Sequence, residues 1–128
     1  MTCRTAAKSR LLAQHAGDGA KDRLAWSWTQ GASTSQMEFA DPASSTDYAL
    51  CLFEGLSPAL IGQAIVPASP TSWRATGTSG YRYKDAAATA AGITKITLKG
   101  STVNRSKVQV TGKGVSLPDL PLPLTAPV

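Results

Sequence analysis

His15 is the single histidine of the 128-residue chain, so any imidazole chemistry has to be built on it. A histidine acting as general base or metal ligand needs a partner that orients the ring and a second group that shares the work. His15 stands in a run of small residues beside Gly17 and Asp18, and no serine lies in a Gly-x-Ser-x-Gly elbow. Its spacing points to a surface loop residue. Glu38 and Glu54 form the candidate carboxylate pair for glycoside hydrolysis, yet exposed strand positions account for both. Asp41, Asp47, Asp85 and Asp119 offer oxygen ligands of the kind calcium takes from loops. No Asp-x-Asp-x-Asp spacing joins them, and turn-forming and strand-ending roles fit better. Gly77-Thr78-Ser79-Gly80 and Gly112-Lys113-Gly114 depart from the phosphate-loop spacing and open no helix, so both read as turns. The sequence therefore predicts a non-enzymatic protein with no catalytic residue, no metal site and no cofactor.

Binding chemistry is better represented. Trp26, Trp28, Trp73, Tyr81 and Tyr83 supply large aromatic surfaces. Alternation along strands places most of them in a core, with Trp73 and Tyr81 set apart because they flank a glycine-rich loop. Together with Tyr83 and the interleaved Arg82 and Lys84, they form a candidate ligand-binding set in which rings stack on sugars and bases hold anions. Thirteen Lys and Arg against eight Asp and Glu give a formal charge of +5, which favours salt-screened contact with anionic polymers or surfaces. The bases alternate with apolar residues instead of clustering with stacking aromatics or a reading helix. No specific nucleic-acid recognition is expected, and solvated strand faces that protect sheet edges explain the pattern.

Cys3 and Cys51 lie far apart with no CxxC or Cys/His neighbours, which argues against zinc. They leave two readings open, one long-range disulfide or two free thiols. No apolar run approaches the roughly 18 to 20 residues of a membrane-spanning helix. A charged n-region followed by an apolar h-region is also missing from the start of the sequence.

The elements that must position these residues read as strands. Leu24-Ala25-Trp26-Ser27-Trp28 and Ile93-Thr94-Lys95-Ile96-Thr97-Leu98-Lys99 alternate with the period of a strand buried on one face. Residues 1–16 favour either a helix or an edge strand carrying Lys8, Arg10 and Leu12. Thr34 to Phe39 is expected to pair with Leu24–Trp28 as a hairpin. Tyr48 to Phe53 is an apolar run that suggests a central strand buried on both faces, and Leu60 to Val66 gives a further strand. Tyr81-Arg82-Tyr83-Lys84 puts tyrosines on one face and bases on the other. Ala86 to Ala91 reads as a loop, while Ile93–Lys99 and Val103–Val110 form a second hairpin. Residues 117–128, with Pro118, Pro121 and Pro123 unable to donate regular backbone hydrogen bonds, are expected to be a proline-rich tail that is extended and polyproline-like or lies along an edge. The predicted core is Leu24, Trp26, Trp28, Phe39, Tyr48, Leu50, Leu52, Ile96, Leu98, Val108 and Val110.

Four segments, Lys21–Trp28, Asp47–Phe53, Gly80–Asp85 and Val110–Gly114, resemble in matching order an uncharacterised family of β-rich domains from extracellular or surface proteins of environmental, deltaproteobacteria-like bacteria. The resemblance implies export and a binding or structural role, and it carries over no catalytic residue. It also implies a pattern continuing beyond Pro127-Val128 into a further cysteine-bearing strand, so that residues 1–128 make a single domain truncated at its C-terminus. The combined expectation is an all-β antiparallel sandwich, immunoglobulin-like or jelly-roll-like, of about seven to nine strands. Its expected role is structural or adhesive, with a basic face toward anionic polysaccharide or another cell-surface polymer. The alternative is a carbohydrate-binding module using exposed aromatics.

Overall fold

Apolar residues recurring at every second position leave each strand with one face to bury, and this chain meets that demand with two antiparallel layers. The computed structural model describes residues 4–15, 17–124 and 128. Its strands are β1 (Ala6–Gln14), β2 (Arg23–Gly31), β3 (Tyr48–Glu54), β4 (Ala59–Val66), β5 (Trp73–Thr76), β6 (Gly80–Lys84), β7 (Ile93–Lys99) and β8 (Ser106–Lys113). Six of them form one sheet in the order β1-β2-β8-β7-β6-β5, and β3-β4 form a two-stranded second layer. The fold is all-β and sandwich-like, as the alternation predicts.

Register fixes which residues look inward. Leu11 opposes Trp26, Trp26 opposes Val110, Val110 opposes Ile96, Ile96 opposes Tyr83 and Tyr83 opposes Trp73. Directly opposed residues share a face, so this row crosses the whole inner surface of the large sheet. Leu52, Ala64 and Val66 from the β3–β4 hairpin complete the core, together with Phe39. Of the expected core, Leu24, Phe39, Leu52, Ile96, Leu98 and Val110 are fully buried. Trp26, Tyr48, Leu50 and Val108 pack against them while partly exposed. Trp28 is only half-buried and lies against Gly31, where a side chain would collide with the indole.

Three expected elements differ. Residues 34–39 do not form a strand paired with β2, whose neighbours are β1 and β8. Thr34 makes an isolated bridge to Ser101, and Gln36–Phe39 is a short 3₁₀ helix. The reason is local: Ser35 and Glu38 form a reciprocal capping box, with Glu38 accepting from both the backbone and the hydroxyl of Ser35. β3 is not a central strand buried on both faces. It pairs with β4 alone, and Ala49, Cys51 and Phe53 face outward, Phe53 with 46% of its surface exposed. Residues 1–16, open between helix and strand, include the edge strand β1.

The proline-rich tail enters no ladder, yet it closes the second layer beside the hairpin. Leu117 and Leu120 pack on the core, and Leu120 and Pro118 sit against Gly62, where an added Cβ would meet the Leu120 methyl at 2.6 Å. An apolar cavity of about 230 Å³ remains between the layers, lined in part by Trp26, Leu50, Ala64 and Val108.

Candidate functional site

Strand parity sorts the charge of the large sheet. Ten of the thirteen Lys and Arg residues lie in its six strands: Lys8 and Arg10 on β1, Arg23 on β2, Arg74 on β5, Arg82 and Lys84 on β6, Lys95 and Lys99 on β7, Lys107 and Lys113 on β8. Each sits at the parity opposite to the apolar set of its own strand, and the ladder places all ten on the outer face. No strand of this sheet contains an aspartate or glutamate. The two ion pairs among the described residues involve Arg4 with Glu38 and His15 with Asp22, neither drawing on these ten.

The register brings like charges into direct opposition at four places: Arg23 with Lys113, Lys84 with Lys95, Arg74 with Arg82, and Lys99 with Lys107. Like charges opposed across a ladder destabilise a sheet by roughly 0.2–1 kcal/mol each. A solvated face that served only folding and solubility would gain from interspersed carboxylates. This face has none within its strands, so its like-charged pairs have no carboxylate between them.

The bases are not spread evenly. One complete row runs Arg10, Ser27, Gln109, Thr97, Arg82, Arg74 across the six strands. The next runs Leu12, Ala25, Thr111, Lys95, Lys84 across five. The centre of the face, on β2, β8 and β7, therefore carries small hydroxyl, methyl and carboxamide groups. It forms a surface groove of about 360 Å³ whose lining includes Ser27, Thr97, Gln109 and Thr111, with Arg10 and Lys95 at its borders. Strand spacing of about 4.8 Å, with Lys95 one row further along the strands, puts the Arg10 backbone roughly 16 Å from that of Lys95 and 19 Å from that of Arg82.

The aromatic set expected to bind sugar is not assembled at the surface. Trp73 is 1% exposed and Tyr83 3% exposed, and both point into the interlayer core. Trp73 lies between the rings of Tyr48 and Tyr83, with centroids 5.4 and 5.2 Å away. Tyr81 shares their inward face and is half-buried. The glycine-rich loop that seemed to free Trp73 is the tight β5–β6 connection, which leaves Trp73 at the start of a paired strand. Arg82 and Lys84, interleaved with these tyrosines, belong to the outer basic face. Burial pushes the Tyr48 phenol up to about 12, and its hydroxyl donates to the Phe39 carbonyl at 2.6 Å, which suits an anchoring role.

His15 has more company than its sequence neighbours suggest. Its Nδ1 lies 3.0 Å from Asp22 Oδ2, and Asp119 shares the same small cleft. The hydrogen bond and charge of Asp22 raise the imidazole pKa above its ordinary value. The cleft has room for about 20 Å³, roughly one water, and no serine, threonine or cysteine lines it. A histidine with two carboxylates is present there, but a nucleophile and a substrate cavity are not among the described residues of the cleft.

The loop aspartates organise backbone. Asp85 accepts from the Thr89 hydroxyl and amide and from the Ala87 amide, which holds its carboxyl below the usual range. Asp47 accepts from the Ala68 amide, and Asp41 from the Ser44 hydroxyl. Among the described residues no group of three or more His, Cys, Asp or Glu side chains is arranged to hold a metal ion. Cys51 is exposed on the hairpin's outer face, and the choice between a Cys3–Cys51 disulfide and two free thiols turns on Cys3, which lies outside the described residues. Among the described residues no helix is long and apolar enough to cross a membrane. Comparison with protein-family models, curated proteins and solved structures gives no match to this chain.

Proposed function

We propose that this chain is a non-enzymatic contact module that binds an anionic polymer of the polysaccharide or cell-envelope kind through the outer face of its six-stranded sheet. The reading places it on an exported or surface protein, in a structural or adhesive role. One observation carries it: ten bases on one face, eight of them opposed in like pairs, with no acidic residue in the same strands. A polyanion laid on that face turns the mutual repulsion into attraction. Aromatic side chains are absent from the outward positions of these strands, which disfavours single-stranded nucleic acid, whose bases bind by stacking. A neutral-sugar platform on Trp73, Tyr81 and Tyr83 loses its basis with two of those rings buried.

The test is retention of the purified chain on immobilised dextran sulfate under a salt gradient. Retention that falls steeply with salt, and that falls again in an Arg82→Glu/Lys95→Glu variant, supports the reading. Absence of salt-sensitive retention ends it.

A further inference from the structure

The arrangement of the bases says more about the ligand than their number does. A polymer with a charge on every unit would best be met by bases at every position along its path. This face instead offers an Arg10 border, three uncharged positions in register at Ser27, Gln109 and Thr97, and then Arg82 and Arg74. The adjoining row has no base on β1: it runs from Leu12 through Ala25 and Thr111 to Lys95 and Lys84, so it is basic on one side only. The neutral centre coincides with the groove of about 360 Å³. Its floor offers hydroxyl groups that both donate and accept and a carboxamide that does the same.

Resting on the polyanion reading above, we infer that the groove takes an acidic polysaccharide whose charges alternate with uncharged, hydroxyl-rich sugar units. The chain lies across the strands, with a neutral unit over Ser27, Gln109 and Thr97 and its flanking carboxylates at Arg10 on one side and at Lys95 or Arg82 on the other. The backbone positions of those bases lie roughly 16 to 19 Å apart, with no base between them in the Arg10 row. A neutral spacer fills that interval, and the floor groups replace the water that its hydroxyls give up. A polyphosphate or a uniformly charged uronate would set unneutralised anions over the uncharged floor.

Isothermal titration of the full chain with a hyaluronate oligosaccharide, charged on every second sugar, is compared with a polygalacturonate oligosaccharide, charged on every sugar, at equal carboxylate concentration and ionic strength. Tighter binding of hyaluronate is expected. Gln109→Ala and Thr97→Val, which leave the charge unchanged, are expected to weaken hyaluronate about tenfold, the equivalent of one lost hydrogen bond. Both variants should keep the wild-type circular dichroism spectrum and cooperative thermal unfolding, which shows that they are folded. Equal or tighter binding of polygalacturonate, or unchanged hyaluronate affinity in both variants, overturns the inference. Retention on dextran sulfate with no hyaluronate binding overturns it while the polyanion reading stands; loss of retention on every polyanion removes both.

Discussion

Reversing one charge at Lys95 should stabilise the fold and weaken its binding at the same time. Lys95 faces Lys84 across the β6–β7 ladder and borders the groove. With the ammonium groups about 6 Å apart in water, their repulsion is on the order of 0.7 kcal/mol. Lys95→Glu replaces that repulsion by a similar attraction, part of which is offset by fixing two exposed side chains, so the net gain is about 1 kcal/mol. For a domain of this size that corresponds to a rise in Tm of about 3–5 °C. Lys95→Gln removes the repulsion alone and should give about half as much. Thermal unfolding followed by circular dichroism, at low salt and in about 1 M NaCl, reads the effect. The Debye length of about 3 Å in 1 M salt should erase most of the gain. An unchanged or lowered Tm for Lys95→Glu at low salt would refute the idea that this face holds its charge against a cost in stability.

Ala64→Leu projects three further carbons into the cavity between the layers, where Ala64 is 1% exposed; at about 0.8 kcal/mol per buried methylene, less repacking strain, the variant should gain about 1–2 kcal/mol in urea unfolding. Gly80→Ala should lose more than about 2 kcal/mol in the same assay, because its Cβ would overlap the Leu98 carbonyl oxygen in the neighbouring strand. Asp22 raises the His15 pKa, so this pair contributes stability that is fully present below the unfolded value of about 6.5 and fades as pH rises through the folded one. An NMR titration should place the His15 midpoint above 6.5, and Asp22→Asn should bring it down; a midpoint indifferent to that change would break the assignment.

Much of the fold was legible as strand parity. Leu24-Ala25-Trp26-Ser27-Trp28, Tyr81-Arg82-Tyr83-Lys84 and Ile93 to Lys99 each show which residues face inward, and the structure keeps those faces. The 3₁₀ turn at Gln36–Phe39 was signalled by Ser35 and Glu38, three residues apart, a helix-start pattern that alternation over the same six residues obscured. Phe53 shows the limit of composition: an apolar run implies burial on both faces only if a layer lies on each side, and β3 has one. Trp73 shows the limit of loop proximity, since its neighbouring glycines form a hairpin that draws the ring inward. The basic face was present residue by residue in the sequence. Its unity was hidden because β2 pairs with β8, a strand far away along the chain, and local pattern carries no information about such a neighbour.

Contact spread over a sheet face is tested most directly by a measurement that maps it residue by residue. Backbone amide spectra of the ¹⁵N-labelled chain, titrated with short dextran sulfate oligomers at low and high salt, provide that map. Saturable shifts are expected along β1, β2, β8, β7 and β6, largest at the bases Arg10, Arg82 and Lys95, and suppressed by salt. Shifts confined to the β3–β4 hairpin or the proline-rich tail, or shifts that salt leaves unchanged, would contradict contact through this face.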